Sequence, residues 1–426
     1  MEQIIKEKAI IAGLERKGQE DFNYSMEELA NLADACHISV EAVITQKAER
    51  VHPSLYLGTG KIEELARLLD TLEVDIVIFN DELSPSQVRN LEKRLDASVL
   101  DRTTLILNIF AERARSRESQ LQVELARLQY VLPRLSGISS SSGRQRGGVG
   151  TKNRGSGETK LELSQRRIED KITELGRELE LLISQRETQR RRRQKTEIPV
   201  VSLVGYTNTG KSSLMNALLQ KHHASEDKAV FAKDMLFATL QTSVRKLELA
   251  DRKSFLLTDT VGFVSKLPHH LVKAFRSTLE EVLDSDLLIH VVDSANPDAE
   301  QLIEVTNTTL RELGADEIPV IYAYNKTDLR MLPLESKELR QPAVLVSAKT
   351  GAGLEEIEQA IRDAIFGHYK EVEVTIPYGE DQFVSYLHEH AYVKSTRYEE
   401  DGTKLTVEAS PAMIQKWSQL LDRPTS

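Results

Sequence analysis

Two periodicities alternate along the chain. From Lys8 to about Ala111, short apolar runs of the strand type (KAIIAG, VEAVITQ, VDIVIFN, SVLDR) are separated by stretches whose apolar residues recur three and four apart (SMEELANLADAC, KIEELARLLDTL, PSQVRNLEKRL). That alternation predicts parallel βαβ units, because a parallel strand pair needs a crossover long enough to hold a helix. Residues 1–110 are expected to form an α/β domain. Over 111–196 the strand period vanishes. Two helical stretches, Leu105 to Leu135 and Glu158 to Arg193, flank GISSSSGRQRGGVGTKNRGSGET, which has too few apolar residues to bury. A helical hairpin with a long loop, Gly137 to Thr159, is predicted. After Pro199 the runs VVSLVG, SFLLTD, LLIHVVD, PVIYAYN and AVLVSA are almost wholly apolar, as in strands covered on both faces, and they predict a doubly wound sheet over 197–366. Residues 367–426 read as a strand (VEVTIP), a helix (QFVSYLHEHAYV), a hairpin around Asp401-Gly402 and a short helix carrying Trp417, a small α+β domain. The fold class is multidomain α/β.

Charge changes this picture in one place. The chain has 426 residues and a net charge of −10, which excludes a generally basic nucleic-acid coat. Yet residues 111–196 hold 20 Lys and Arg against 11 Asp and Glu, a net of +9 that leaves −19 for the rest. Their loop carries Arg144, Arg146, Lys152 and Arg154 with Glu158 as its only acid, a cationic segment suited to phosphate-rich RNA. The four arginines Arg190 to Arg193 read as a helix end running into a linker. No apolar run reaches the ~20 residues of a membrane span, no export signal is visible, and Cys36 is the only cysteine, so a reducing cytoplasm and no membrane partner are expected.

The chemistry sits at strand ends. GYTNTGKS matches the phosphate-loop pattern between an apolar run and a helical one: Gly205, Tyr206, Thr207, Asn208, Thr209 and Gly210, then Lys211, Ser212 and Ser213. The glycines let consecutive N–H groups turn inward on phosphates, the helix N-terminus adds positive potential, Lys211 reaches the β- and γ-phosphates, and the Ser212 hydroxyl suits Mg²⁺. Some 50 residues on, SFLLTD ends in Asp259 and opens DTVG (Asp259, Thr260, Val261, Gly262), a carboxylate for Mg²⁺ through water and an N–H for the γ-phosphate. NKTD follows the next-but-one strand. Its Asp328 can accept both guanine N1–H and the exocyclic amine, a pair adenine does not offer, with Asn325 and the stem of Lys326 beside the base. SAK (Ser347, Ala348, Lys349) follows the last strand and can offer a backbone N–H to guanine O6. GTP is thus the expected substrate and Mg²⁺ the expected cofactor.

These motifs resemble those of P-loop GTPases of the translation-factor-related class. The resemblance implies a mobile loop whose threonine completes the Mg²⁺ shell; Thr239 in LFATLQT is the choice, with Phe237, Ala238, Leu240 and Gln241 around the nucleotide. Lys211, Thr239 and Gly262 are the expected catalytic residues. Many signalling GTPases place a glutamine directly after DxxG to orient water; Phe263 stands there, so slow intrinsic hydrolysis is expected, with a partner supplying the missing groups.

The whole chain is similar to the HflX family of ribosome-associated GTPases. The similarity is carried by YLGTGK (Tyr56 to Lys61), VLDRTTLILNIFAERARSRESQLQVELARL, GGVGTKNRGSGETKLE, VGYTNTGKSSLMN, LFATL, DTVGF and LPHHLVKAFRSTLEE. It implies a family-specific N-terminal domain, a helical hairpin, a GTPase domain and a C-terminal domain; separately, no coiled-coil seam of three or more heptads is evident, and a monomer is expected. It also implies binding to the large ribosomal subunit and its RNA, the basic loop near the peptidyl transferase centre, and splitting of stalled or idle ribosomes under stress. Weaker ATPase activity is a further implication. Gln241 departs from the family pattern, where Asp and Pro usually follow LFATL. Competing readings are an RNA-remodelling ATPase, against which NKTD stands, and a signalling GTPase without RNA, against which the +9 segment stands. GTGK (Gly58 to Lys61) lacks phosphate-loop spacing and reads as a turn, and the paired histidines (222/223, 269/270, 388/390) lack companions at ligand spacing.

Overall fold

The computed structural model describes residues 6–19, 21–142, 160–194, 198–222, 243–249, 253–260, 262–264, 266, 280–330, 339–411, 413–415 and 417; residues 136–142, 160–161, 186–194, 280–281, 381 and 389–390 are described by backbone alone. The described residues form two bodies. The first holds those up to 185 together with Val264 and Lys266; the second holds the others from 186 onward.

The first body is built on a four-stranded, all-parallel sheet of β1 (Glu7–Glu15), β2 (Ile38–Lys47), β3 (Ile76–Phe79) and β4 (Ser98–Asp101) in the order β2-β1-β3-β4. β1 is apolar without interruption from Ala9 to Ala12 because it is central and covered on both faces. The helices are α1 (Phe22–Ala35), α2 (Thr59–Leu72), α3 (Pro85–Leu95) and α4 (Arg102–Arg113). α1 packs against α4, and α2 against α3. On the α2/α3 side Ile10, Ala12 and Leu14 meet Ile62, Leu65, Leu69, Leu91 and Leu95. Ser84 and Gln87 form a reciprocal capping box ahead of Pro85, and the Asp101 carboxylate caps α4 at the Thr104 N–H.

The expected helix Leu105 to Leu135 is two helices. α4 stops at Arg113 with Ala114 extended, and α5 (Arg117–Ser142) restarts where the Ser116 hydroxyl accepts the Ser119 N–H at 3.1 Å. The apolar pattern runs on through the break because α4 and α5 both bury their faces here. α5 also continues past Gly137, since a helix already held by packing extends with one hydrogen bond per added residue. α6 (Lys160–Gln194) pairs with α5 through Leu121, Leu175 and Leu179, and Arg117 grips Glu178 with two bonds of 2.7 and 2.8 Å.

The second body contains a six-stranded sheet in the order β10-β9-β8-β5-β7-β6: β5 (Val200–Val204), β6 (Ser243–Glu248), β7 (Ser254–Asp259), β8 (Leu287–Asp293), β9 (Val320–Asn325) and β10 (Ala343–Leu345). All neighbours are parallel except β6, an antiparallel edge the apolar pattern did not predict: Leu247 is its only fully buried residue. Among the described residues α7 (Lys211–Lys221), α8 (Ala299–Leu313) and α9 (Leu354–Phe366) accompany this sheet.

The C-terminal part is an antiparallel sheet, order β11-β13-β12, of β11 (Lys370–Ile376), β12 (Tyr392–Glu399) and β13 (Gly402–Ala409), with α10 (Asp381–His390) and a core around Leu405, Val407 and Trp417. α10 ends earlier than expected: Tyr392 and Val393 pair with Glu408 and Val407 as strand residues, where β-favouring side chains fit. Among the described residues no helix is long and apolar enough to cross a membrane.

Candidate functional site

The carboxyl ends of β5, β7, β8 and β9 and the loop after β10 bring the strand-end motifs to one edge of the second body's sheet. The phosphate loop leaves β5 and opens α7. Asn208 at φ 61° and Gly210 at φ 92° are both left-handed, the alternation that turns N–H groups to one side. Gly210 has no room for another residue: a Cβ there would lie 2.3 Å from Asn325 Nδ2.

Asn325 is the joint of the site. Its Nδ2 donates to the Thr209 carbonyl at 2.9 Å, and its Oδ1 accepts the Ala348 N–H at 3.0 Å, so one side chain ties the phosphate loop to the SAK turn. The Ala348 N–H, a candidate for guanine O6, is thereby engaged. Ser347 donates its hydroxyl to Asp328 Oδ1 at 2.6 Å and orients that carboxylate. Lys326, at φ 62°, reaches back to Asp293 Oδ2 at 2.8 Å.

At the phosphate end Lys211 is buried, its Nζ donating to the Gly205 and Tyr206 carbonyls at 3.0 and 2.7 Å. Burial pulls its pKa down to about 8, opposed by the charge of Asp259. A buried ammonium held by carbonyls is a place for an anion. Ser212 donates to Asp259 Oδ2 at 2.5 Å, and both side chains are buried. A hydroxyl and a carboxylate side by side are the hard oxygen groups Mg²⁺ takes, directly or through water. The Thr207 hydroxyl is buried without a hydrogen-bond partner among the described residues, and Thr209 Oγ1 donates to the Tyr206 carbonyl. Thr260 donates to the Leu203 carbonyl at 2.6 Å, fixing the start of the DTVG turn. Gly262 lies so close that a Cβ would meet Thr207 Cα at 2.9 Å and Lys211 Nζ at 3.0 Å.

Sequence reasoning read Phe263 for its ring alone and passed over His290. Phe263 clamps the DTVG segment onto the phosphate loop through its backbone: its N–H donates to the Gly205 carbonyl at 3.2 Å, and its carbonyl accepts the Thr207 N–H at 2.8 Å. His290 on β8 is fully buried, its pKa lowered to about 3 by burial and then by the charges of Lys211 and Arg340. The apolar run LLIHVVD announces its burial but not its neighbours. Ser213 lies on α7 and Lys349 in the SAK turn. Phe237, Ala238, Thr239, Leu240, Gln241 and Val261 lie outside the described residues, as do Arg144, Arg146, Lys152 and Arg154.

A crevice that opens on a phosphate loop with a buried lysine and closes on NKTD and SAK turns at neighbouring strand ends is the arrangement of the P-loop GTP hydrolases. Four sequence-family profiles cover the chain in order: a GTP-binding GTPase N-terminal region (residues 23–111), a GTP-binding GTPase middle region (113–193), a 50S ribosome-binding GTPase (200–326) and an HflX C-terminal domain (334–424). GTPase HflX of Caldanaerobacter subterraneus subsp. tengcongensis is 43% identical over 95% of this chain and 91% of its own length. GTPase HflX of Escherichia coli is 38% identical over 89% and 88%. A crystallised GTP-binding protein from Sulfolobus solfataricus in complex with GDP is 25% identical, covering 84% of this chain and 98% of its own, with a TM-score of 0.42. The chain belongs to the HflX family of GTPases.

Proposed function

We propose that the chain is a GTP-driven factor that binds the large ribosomal subunit and dissociates stalled or idle ribosomes, with hydrolysis releasing it. The observation that carries the nucleotide half is the Asn325 bridge from Thr209 to Ala348, which joins phosphate-holding and base-reading turns in one crevice. In this reading the N–H groups of residues 208–213 and the Lys211 ammonium hold the phosphates, and the Asp328 carboxylate, aligned by Ser347, accepts the guanine N1–H and amine. The Gly262 N–H binds the γ-phosphate. Mg²⁺, held by Ser212, Thr239 and, through water, Asp259, would screen the charge of the β- and γ-phosphates.

The ribosomal half rests on the profile described as a 50S ribosome-binding GTPase and on the +9 segment with Arg144, Arg146, Lys152 and Arg154. Division of labour follows the four expected domains: residues 1–110 and 111–196 touch the ribosome, 197–366 reads the nucleotide, and 367–426 completes the factor. The reaction takes place in the cytoplasm. The buried Phe263 ring offers no hydrogen bond to the attacking water, so the chain alone is slow and the ribosome supplies an acceleration on the order of 10³-fold or more. Single-turnover GTP hydrolysis with and without purified ribosomes, followed by sedimentation of the subunits, tests both parts. Faster turnover with separation of the subunits is expected; equal rates and intact ribosomes would refute it.

A further inference from the structure

Every residue of NKTD is held by another element of the second body, three of them by the phosphate loop or the segment that runs from β10 into SAK. Asn325 ties Thr209 to Ala348, Thr327 donates its hydroxyl to the Val346 carbonyl at 3.0 Å, and Asp328 accepts from Ser347. Lys326 turns the other way, to β8, where its ammonium lies 2.8 Å from Asp293 Oδ2. Asp293 closes β8 and is itself fixed: its other oxygen accepts the Ala295 N–H at 3.0 Å, a turn closed by its own side chain. The next residue is stitched to the base-reading segment through its backbone. The Ser294 N–H donates to the Asn325 carbonyl at 2.9 Å, and Arg330 donates to the Ser294 carbonyl at 2.5 Å. Asp293 and Asn325 also face one another across the parallel β8/β9 ladder. The carboxylate thus stands at a set distance from the start of NKTD, and Lys326 meets it from a left-handed backbone, φ 62°, that non-glycine residues adopt rarely.

Strand order gives that contact a meaning. β8 lies between β5, which feeds the phosphate loop, and β9, which feeds NKTD. A nucleotide whose phosphates sit on the loop and whose base sits at Asp328 has to pass the end of β8. The Lys326 backbone follows β9 and its ammonium is at the end of β8, so its methylene stem lies across that path. We infer that Asp293 is a positioning residue for the purine: by holding the ammonium it fixes the stem as an apolar rest for the ring, and so sets how long the nucleotide stays bound. This rests on the proposed seating of guanine at Asp328. A free lysine loses its rotamers each time a base settles on it, whereas one already ordered does not. The Lys326 and Asp293 side chains are 24% and 19% exposed, so the ion pair itself is modest and its worth lies in that ordering. A stem against the ring face does not read the base edge, so guanine and hypoxanthine nucleotides gain from it alike.

The test is release of a fluorescent GDP from the full chain by stopped flow, with affinities for GDP, inosine diphosphate and inorganic triphosphate taken from competition. Wild type is compared with Asp293→Asn, Asp293→Ala, Lys326→Met and the double variant D293N/K326M, each checked for folding by its melting curve. Asp293→Asn keeps an oxygen for the Ala295 N–H and loses the charge, and Lys326→Met keeps an apolar stem without the head. GDP should leave about two- to fivefold faster from both Asp293 variants, the scale of a partly exposed ion pair, with the ratio of GDP to inosine diphosphate affinity and the triphosphate affinity unchanged. In the Lys326→Met background Asp293→Asn should change nothing further, which a role confined to the turn after β8 would not give. Unmoved release in Asp293→Asn overturns the assignment. So does a full additional effect of Asp293→Asn in the Lys326→Met background, or an equal loss of triphosphate affinity. Failure of the wild-type chain to take up GDP would instead refute the functional reading beneath it.

Discussion

The four-stranded and the six-stranded sheet each carry a crevice at the carboxyl ends of their parallel strands and treat buried cations in opposite ways. Beyond β1, β3 and β4 a cavity of about 410 Å³ is lined by Arg16, Asp81, Arg102 and Lys266 among others. There the buried Arg102 is bonded to the Glu28 carboxylate, to Asn80 Oδ1 and to the Ser25 carbonyl, and Lys266 is paired with Asp81. In the nucleotide crevice the buried Lys211 is bonded to two carbonyls, and Asp259 spends a hydrogen bond on Ser212. Strand order alone does not separate a binding site from a structural crevice. Whether the buried charge is answered inside the fold does.

Opposite outcomes should therefore follow from removing the two cations. Arg102→Met leaves Glu28 charged and buried and should cost about 3–5 kcal/mol of stability in denaturant unfolding. Lys211→Met should leave stability equal or higher, because at pH 7 the buried ammonium is disfavoured, while lowering nucleotide affinity by at least about a hundredfold. Equal destabilisation by both would erase the distinction. Asp328→Asn should weaken GTP about 10²-fold and favour xanthosine nucleotides, whose base carbonyl accepts where guanine donates; competition binding reads both. pH gives a graded version. Lys211 titrates near 8 in the free protein and higher once phosphate is bound, so affinity is complete below about pH 8 and falls about tenfold per unit above it, with proton uptake visible by calorimetry in two buffers. Ser347→Ala removes the bond that aligns Asp328 and should weaken GTP about fivefold without touching the triphosphate end.

Legibility in the sequence followed distance along the chain. β5, β7, β8 and β9 are apolar runs because both faces are covered, and the phosphate loop, DTVG and NKTD each lie within a few residues of such a run, so local pattern sufficed for them. β6 was hidden because an edge strand buries little, and the α4/α5 break because Ser116 caps a helix in the middle of an unbroken apolar pattern. Contacts between distant residues left no local trace: Asn325 with Thr209 spans 116 positions and Lys266 with Asp81 spans 185. His290 shows the same limit in part: burial, which its apolar run signals, lowers its pKa most, while the further lowering by Lys211 and Arg340 comes from other elements.

Calorimetric titration of the purified chain with a non-hydrolysable GTP analogue, and separately with the matching ATP analogue, tests the nucleotide crevice most directly. One guanine nucleotide per chain, bound at least about tenfold more tightly than the adenine one, is the expected result for a site in which Asp328 reads the base. No guanine uptake by folded protein, or equal affinity for the adenine analogue, would contradict it.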